Sequence, residues 1–184
     1  MYLYFKNLVK QKIIDSIIPP ISIESILNLL NELEVTIKKE EYNCIVDGAN
    51  VAFHNTSDSF SLQNIIIIDK YLKFNNMRPL VILHSNHFRK FKYSYKRLSF
   101  FKTPKYFDDD LFWLYCSLSL NCKLVTNDKM RDHEMNIFNK DEMVFKIWKK
   151  MNVCRFKIFN FQKEEEMLSI CTKINISSLV HFSK

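Results

Sequence analysis

The sequence predicts an α/β fold, a three-layer sandwich in which helices cover both faces of a mainly parallel central sheet. Short apolar runs such as Cys44-Ile45-Val46 and Leu80-Val81-Ile82-Leu83 alternate along the chain with stretches of helical apolar spacing. That alternation is the pattern of βαβ units. A chain of 184 residues, 47% of them hydrophobic, can bury one substantial core.

The elements follow in order. An opening helix ends at Pro19-Pro20, and Ser22 can cap a second helix whose Ile26, Leu27, Leu30 and Leu33 share a face. Cys44 to Asp47 reads as the first strand. Asp58 or Ser59 can cap a helix reaching about Asn75, with Leu62, Ile65, Ile66, Ile68 and Leu72 turned to the sheet. Pro79 to Leu83 reads as a buried strand and Ser99 to Thr103 as a short one closed by Pro104. The acidic triplet Asp108-Asp109-Asp110 opens a helix carrying Leu111, Leu114, Tyr115 and Leu118, and Cys122 to Thr126 is the next strand. Asn139 with Glu142 resembles a capping box for a helix that turns Val144, Ile147, Trp148 and Met151 inward. Val153 to Phe161 is a last strand. The expected organisation is an N-terminal helical extension over 1–40, a catalytic domain over 41–163 and a C-terminal tail of unassigned role over 164–184.

Composition narrows the partners. A net charge of +7 favours an acidic polymer, nucleic acid first, although scattered surface lysine would give the same total. The cysteines, Cys44, Cys116, Cys122, Cys154 and Cys171, are widely spaced inside apolar runs, which suits reduced thiols. Neither a signal peptide nor an apolar run long enough to span a membrane is present, so a soluble, intracellular protein is expected, in cytoplasm or nucleus. The opening carries three Lys and no acid as far as Ile14, which is compatible with an organelle.

The chemistry lies in the carboxylates. In a parallel sheet the ligand site lies beyond the carboxyl ends of the strands, and two strands here end in Asp47 and Asp128. Asp109 and Asp110 at a helix start join them on that edge. Singly, each has an ordinary explanation: an Asp-Gly turn at Asp47-Gly48, or helix capping at the others. Together they would repel unless protonated, paired with bases or bound to cations. Oxygen-only ligands suit Mg²⁺, with Mn²⁺ able to substitute, and such a site hydrolyses phosphodiesters through metal-activated water. Asp132, one helical turn beyond Asp128, can add a ligand or orient water. His133 is expected on a helix surface. With a single Gly, no phosphate-binding glycine loop can form.

Three segments, Val46-Asp47-Gly48-Ala49-Asn50-Val51, Asp109-Asp110-Leu111-Phe112-Trp113-Leu114-Tyr115 and Val125 to His133, resemble the signature segments of protein-only RNase P. Phe101-Lys102-Thr103-Pro104 and Trp148 to Phe156 are similar to that family as well. The resemblance implies a PIN/NYN-like metallonuclease that removes the 5′ leader from precursor tRNA and leaves a 5′ phosphate. It implies Asp47, Asp109, Asp110 and Asp128 as metal ligands and Asp132 as an auxiliary acid. Asp108 stands where the family usually shows Asn, and Leu111 where it usually shows Trp. The expectation is a minimal form without the family's pentatricopeptide repeats, and without its structural zinc, because no CxxC pair is present.

From Lys70 to Phe107 the chain is basic and free of acid, with Phe88, Phe91, Tyr93 and Tyr95 interleaved. Arg89, Lys90, Lys92, Lys96, Arg97, Lys102 and Lys105 are the expected RNA contacts, although the aromatics equally suit a core. A chain this small could also form a homo-oligomer to reach across tRNA. A nuclease with another RNA target and a noncatalytic RNA-binding subunit stay open beside the RNase P reading.

Overall fold

A computed structural model describes residues 2–56, 59–90, 98–158 and 180–183. Its sheet has the order β3-β2-β1-β4-β5-β6, from β1 (Cys44–Asp47), β2 (Pro79–His84), β3 (Phe100–Thr103), β4 (Lys123–Val125), β5 (Val153–Ile158) and β6 (Val180–Ser183). The first five strands are parallel, and β6 runs antiparallel to β5.

Side-chain alternation along the strands builds two cores. Ile45, Leu80, Ile82 and Leu124 face one side, where α1 (Tyr2–Asp15), α2 (Ile23–Lys39), α5 (Asp109–Leu120) and α7 (Glu142–Asn152) pack. Cys44, Val46, Val81 and Val125 face the other, against α3 (Gly48–Ala52) and α4 (Leu62–Phe74). The three-layer sandwich expected from the sequence is the observed fold. α1 packs against α5 through Phe5, Val9 and Ile13, so the opening helix belongs to the same core as the sheet. Among the described residues, no helix is long and apolar enough to cross a membrane.

Local sequence explains most boundaries. The Ser22 hydroxyl caps α2 by accepting from the Ser25 amide, and Asp108 caps α5 by accepting from Asp110. Asn121 ends α5 in the left-handed region at φ 50°, a conformation Asn tolerates. Gly48 has a different reason. A Cβ there would lie 2.7 Å from the Ile82 carbonyl and 2.8 Å from a Val81 methyl, so its lack of a side chain lets α3 start against β2.

Several expectations need correction. α4 begins later than expected, capped by Ser61, and buries Ile67 rather than Ile66. Asn139 does not cap α7: residues Asn139–Asp141 form a 3₁₀ turn, and Asp141 at the N-cap makes no capping bond. α7 is also rotated. Of the predicted inward set only Trp148 is buried, together with Phe145 and Asn152, whereas Val144, Ile147 and Met151 are exposed. The cause is an aromatic stack, Phe138 on Phe145 at 3.9 Å and Phe145 on Trp148 at 5.3 Å between ring centroids, which buries more area than the aliphatic face could. Cys44, Cys116, Cys122 and Cys154 are free thiols; Cys171 lies outside the described residues.

Candidate metal centre

Strand order changes direction at the parallel neighbours β1 and β4, and the chain leaves them for opposite faces of the sheet, toward α3 after β1 and toward α7 after β4, which opens a crevice at their carboxyl ends. Asp47 ends β1 on one side of it, and Asp128 follows β4 on the other. α5 brings its N-terminal acids over the same edge. Asp47, Asp110 and Asp128 line one cavity of about 450 Å³, and Asp108, Asp110, Asp128, Asp132 and His133 line a neighbouring one of about 590 Å³. Ligand oxygens of Asp108, Asp109 and Asp110 lie within 4.8 Å of one another. All five acids singled out in the sequence therefore meet at one edge.

Asp47, Asp110 and Asp128 are each held by hydrogen bonds. The Thr126 hydroxyl donates to Asp47 Oδ2 at 2.7 Å, and the Asn50 amide donates to Oδ1 at 3.0 Å. Trp113 Nε1 donates to Asp110 Oδ1 at 2.9 Å, while His133 Nε2 lies 3.6 Å from Oδ2. The loop after β4 is pinned from several sides. Asn127 donates its amide to Asn50 Oδ1 and exchanges side-chain bonds with the Phe156 backbone. Asp128 accepts from the Met130 amide at 2.5 Å, and Arg155 donates to the Asp128 carbonyl. Met130 adopts φ 56° with its side chain buried, which closes the turn and starts α6 (Arg131–Asn136). Asp128 thus serves a tight turn, not a helix cap. His133, expected on a surface, is only 12% exposed and rests edge-on against Trp113.

The electrostatics are unfavourable for bare carboxylates. Burial, with Asp110 and Asp109 close by, pushes the Asp47 carboxyl up to about 8 despite its two hydrogen bonds. Burial and the charges of Asp110 and Asp108 raise Asp109 to about 6, and burial with Asp110 raises Asp108. Burial opposes charge on His133, but the Asp110 carboxylate beside it and the surrounding acids outweigh that and raise its pKa. Asp109 Oδ2 is shielded from solvent and has no hydrogen-bond partner. An orphaned buried oxygen amid an all-carboxylate donor set fits a hard divalent cation.

A family model described as Protein-only RNase P matches residues 28–183. The chain belongs to the protein-only RNase P family. Proteinaceous RNase P 2 of Arabidopsis thaliana is 31% identical over 148 residues, covering 72% of this chain and 28% of that protein. Proteinaceous RNase P 3 of the same plant is 32% identical over 135 residues, covering 65% of this chain and 23% of that protein. The crystal structure of the plant's nuclear proteinaceous RNase P 2 superposes with a TM-score of 0.61 at 28% identity, over 82% of this chain and 34% of that one. The chain spans about a quarter of the length of the curated relatives it matches.

Sequence reasoning left Asp108 out of the cluster, although it took Asp109 and Asp110 of the same acidic triplet as ligands. Thr126 and Trp113 were missed because nothing in a lone sequence says which neighbour a hydroxyl or indole will meet. Of the expected RNA contacts, Lys102 and Lys105 flank another cavity on the same edge. Arg89 and Lys90 lie on a 3₁₀ turn over Ser85–Lys90, and their side chains, with all of Lys92, Lys96 and Arg97, lie outside the described residues, as do Phe91, Tyr93 and Tyr95. Part of the basic run is used structurally: Lys73 pairs with Asp69 at 2.8 Å and Arg78 with Glu41 at 2.6 Å.

Proposed function

We propose that this chain is a metal-dependent endoribonuclease that removes the 5′ leader of precursor tRNA, with Mg²⁺ held by Asp47, Asp109, Asp110 and Asp128. The observation that carries the reading is the meeting of these acids at the crevice between β1 and β4, with one buried oxygen of Asp109 left without a partner. Family membership points the same way, since the relatives bear the name RNase P.

The residues divide the work. Thr126 and the Asn50 amide fix both oxygens of Asp47, and Trp113 fixes one oxygen of Asp110. Arg155 and Asn127 hold the loop that presents Asp128. Divalent cations bound there supply charge neutralisation at the scissile phosphate and activation of the attacking water. Asp132, exposed on the wall of the larger cavity, can orient a water, and His133 stands beside the Asp110 carboxylate. Fixing ligands in advance matters because the reaction then need not order them.

The test is incubation of a 5′-labelled precursor tRNA with protein and Mg²⁺, beside an Asp109→Asn/Asp110→Asn protein. Cleavage at the mature 5′ end that the double variant lacks supports the proposal. Cutting only of other RNAs would move the target, and RNA binding with no cutting of any RNA would leave a noncatalytic subunit.

A further inference from the structure

A second polar cavity, of about 500 Å³, opens where β2 and β3 end, on the far side of β1 from β4. Ser85, Asn86, Lys102, Thr103 and Lys105 are among the residues that line it. The parallel register sets His84 opposite Thr103, so both strands release their chains at one level. Three features of this place bear on what it can hold.

First, the hydroxyls of Thr103 and Ser85 are shielded from solvent and have no hydrogen-bond partner among the described residues. Buried hydroxyls in folded proteins are nearly always paired. Second, Lys102 and Lys105 make no ion pair among the described residues, unlike Lys73 and Arg78 of the same basic run. Their ammonium groups instead lie over rings, Lys102 at 5.7 Å from Phe88 and Lys105 at 5.3 Å from Tyr106. Third, the rim is tied to the strand end. The Asn86 amide donates to His84 Nδ1, which leaves the proton on Nε2 to donate to the Lys105 carbonyl at 2.9 Å. Lys105 is three residues before Asp108, so at most ~10 Å of chain separates this rim from the acids.

Two ammonium groups without an ion pair and two hydroxyls without a hydrogen bond, lining one cavity, form a receptor for an anion with two free oxygens. The acid cluster lies beside it on the same sheet edge, so a polyanionic strand reaching the acids passes over these lysines. We infer that this cavity seats one phosphodiester of the RNA strand, a short distance from the bond that is cut. Lys102 and Lys105 swing from their rings to pair its charge, and that movement opens the floor so that Ser85 and Thr103 donate to its oxygens. The inference rests on the endoribonuclease reading for its ligand and adds the point at which the strand is gripped.

The experiment is a neutral-phosphate scan. Precursor tRNAs, each carrying a single methylphosphonate at one position around the cleavage point, are bound to the full chain without divalent metal and followed by fluorescence anisotropy. In the unmodified protein one position is expected to weaken binding about tenfold. In Lys102→Ala/Lys105→Ala protein that penalty disappears while penalties elsewhere persist, and the slope of log affinity against log salt falls by about 2, one for each lysine. Thr103→Val, close to Thr in volume, should lower affinity for the all-phosphate RNA and shrink the same penalty. Thermal melts of each variant establish that it is folded, and Lys102→Gln/Lys105→Gln replaces the alanine protein if it is not. An identical penalty pattern in both proteins, no sensitive position at all, or an unchanged slope overturns the inference. Because binding is read without cleavage, a protein that cuts tRNA but shows no such position loses only the phosphate seat. A protein that shows the position yet cuts nothing loses only the nuclease reading.

Discussion

The edge of the sheet between β1 and β4 and the edge between β2 and β3 lie side by side and are built in opposite ways. At the first, carboxylates are crowded, and Asp47, Asp110 and Asp128 each have an oxygen already held, by Thr126, Trp113 or a backbone amide. At the second, two lysines rest on rings without an ion pair among the described residues, beside two hydroxyls without a hydrogen bond. A reacting centre gains from ligands that are fixed before substrate arrives, whereas a site that grips a moving strand gains from long side chains that can adjust. The difference teaches which edge should be sensitive to small displacements and which only to charge.

Replacing Asp109 and Asp110 together by Asn should have the largest effect, on the order of 10³-fold or more in single-turnover cleavage, because charge opposite the scissile phosphate is removed. Near-normal cleavage would mean that these acids serve only the helix start. Thr126→Val should cost about 10 to 100-fold and shift the Mg²⁺ dependence to higher concentration, since it frees an oxygen of Asp47 without altering the carboxylate count. The Lys102→Ala/Lys105→Ala protein, by contrast, should cleave at close to the normal rate once RNA is saturating. A loss at saturation as deep as that of Thr126→Val would erase the distinction between the edges.

Stability sharpens the same contrast. In the folded chain Asp47 titrates at about 8 and Asp109 at about 6, both above the ordinary 3.8, so the folded state binds more protons across that range. Metal-free protein should therefore lose stability as pH rises from about 4 to about 8, and Asp47→Asn should flatten that loss. Melting temperatures recorded across this window, with and without Mg²⁺, would show it; the cation should restore most at the upper end. A flat profile would mean that the carboxyls are not strained by burial. Gly48→Ala should be the mildest for chemistry but costs about 1–3 kcal/mol of stability, because the added methyl meets the Ile82 carbonyl. Denaturant melts measure that directly.

Much of the acid edge was legible in the sequence because it follows from periodicity. Apolar runs locate strands, strand ends locate Asp47 and Asp128, and an acidic triplet before Leu111, Leu114 and Leu118 locates the start of α5. What was not legible depends on contacts between distant segments. The inward face of α7 is chosen by Phe138, which sits on another element and stacks on Phe145, so the helix's own spacing misleads. α6 has only six residues and no buried one, so no periodicity could announce that His133 turns toward Asp110. β6 lies beyond a polar stretch without strand pattern, and its pairing is decided by β5. The floor of the second cavity is likewise made where two strands end together, a coincidence of register that neither strand encodes alone.

Every expected outcome at the β1–β4 crevice depends on its acids holding a divalent cation. Titration of the protein with Mn²⁺, followed by the electron paramagnetic resonance signal of the free ion, tests it without reference to any substrate. Saturable Mn²⁺ binding that Mg²⁺ displaces is expected, and Asp109→Asn/Asp110→Asn protein should lack it while remaining folded. Equal binding by the two proteins, or none by either, would contradict it.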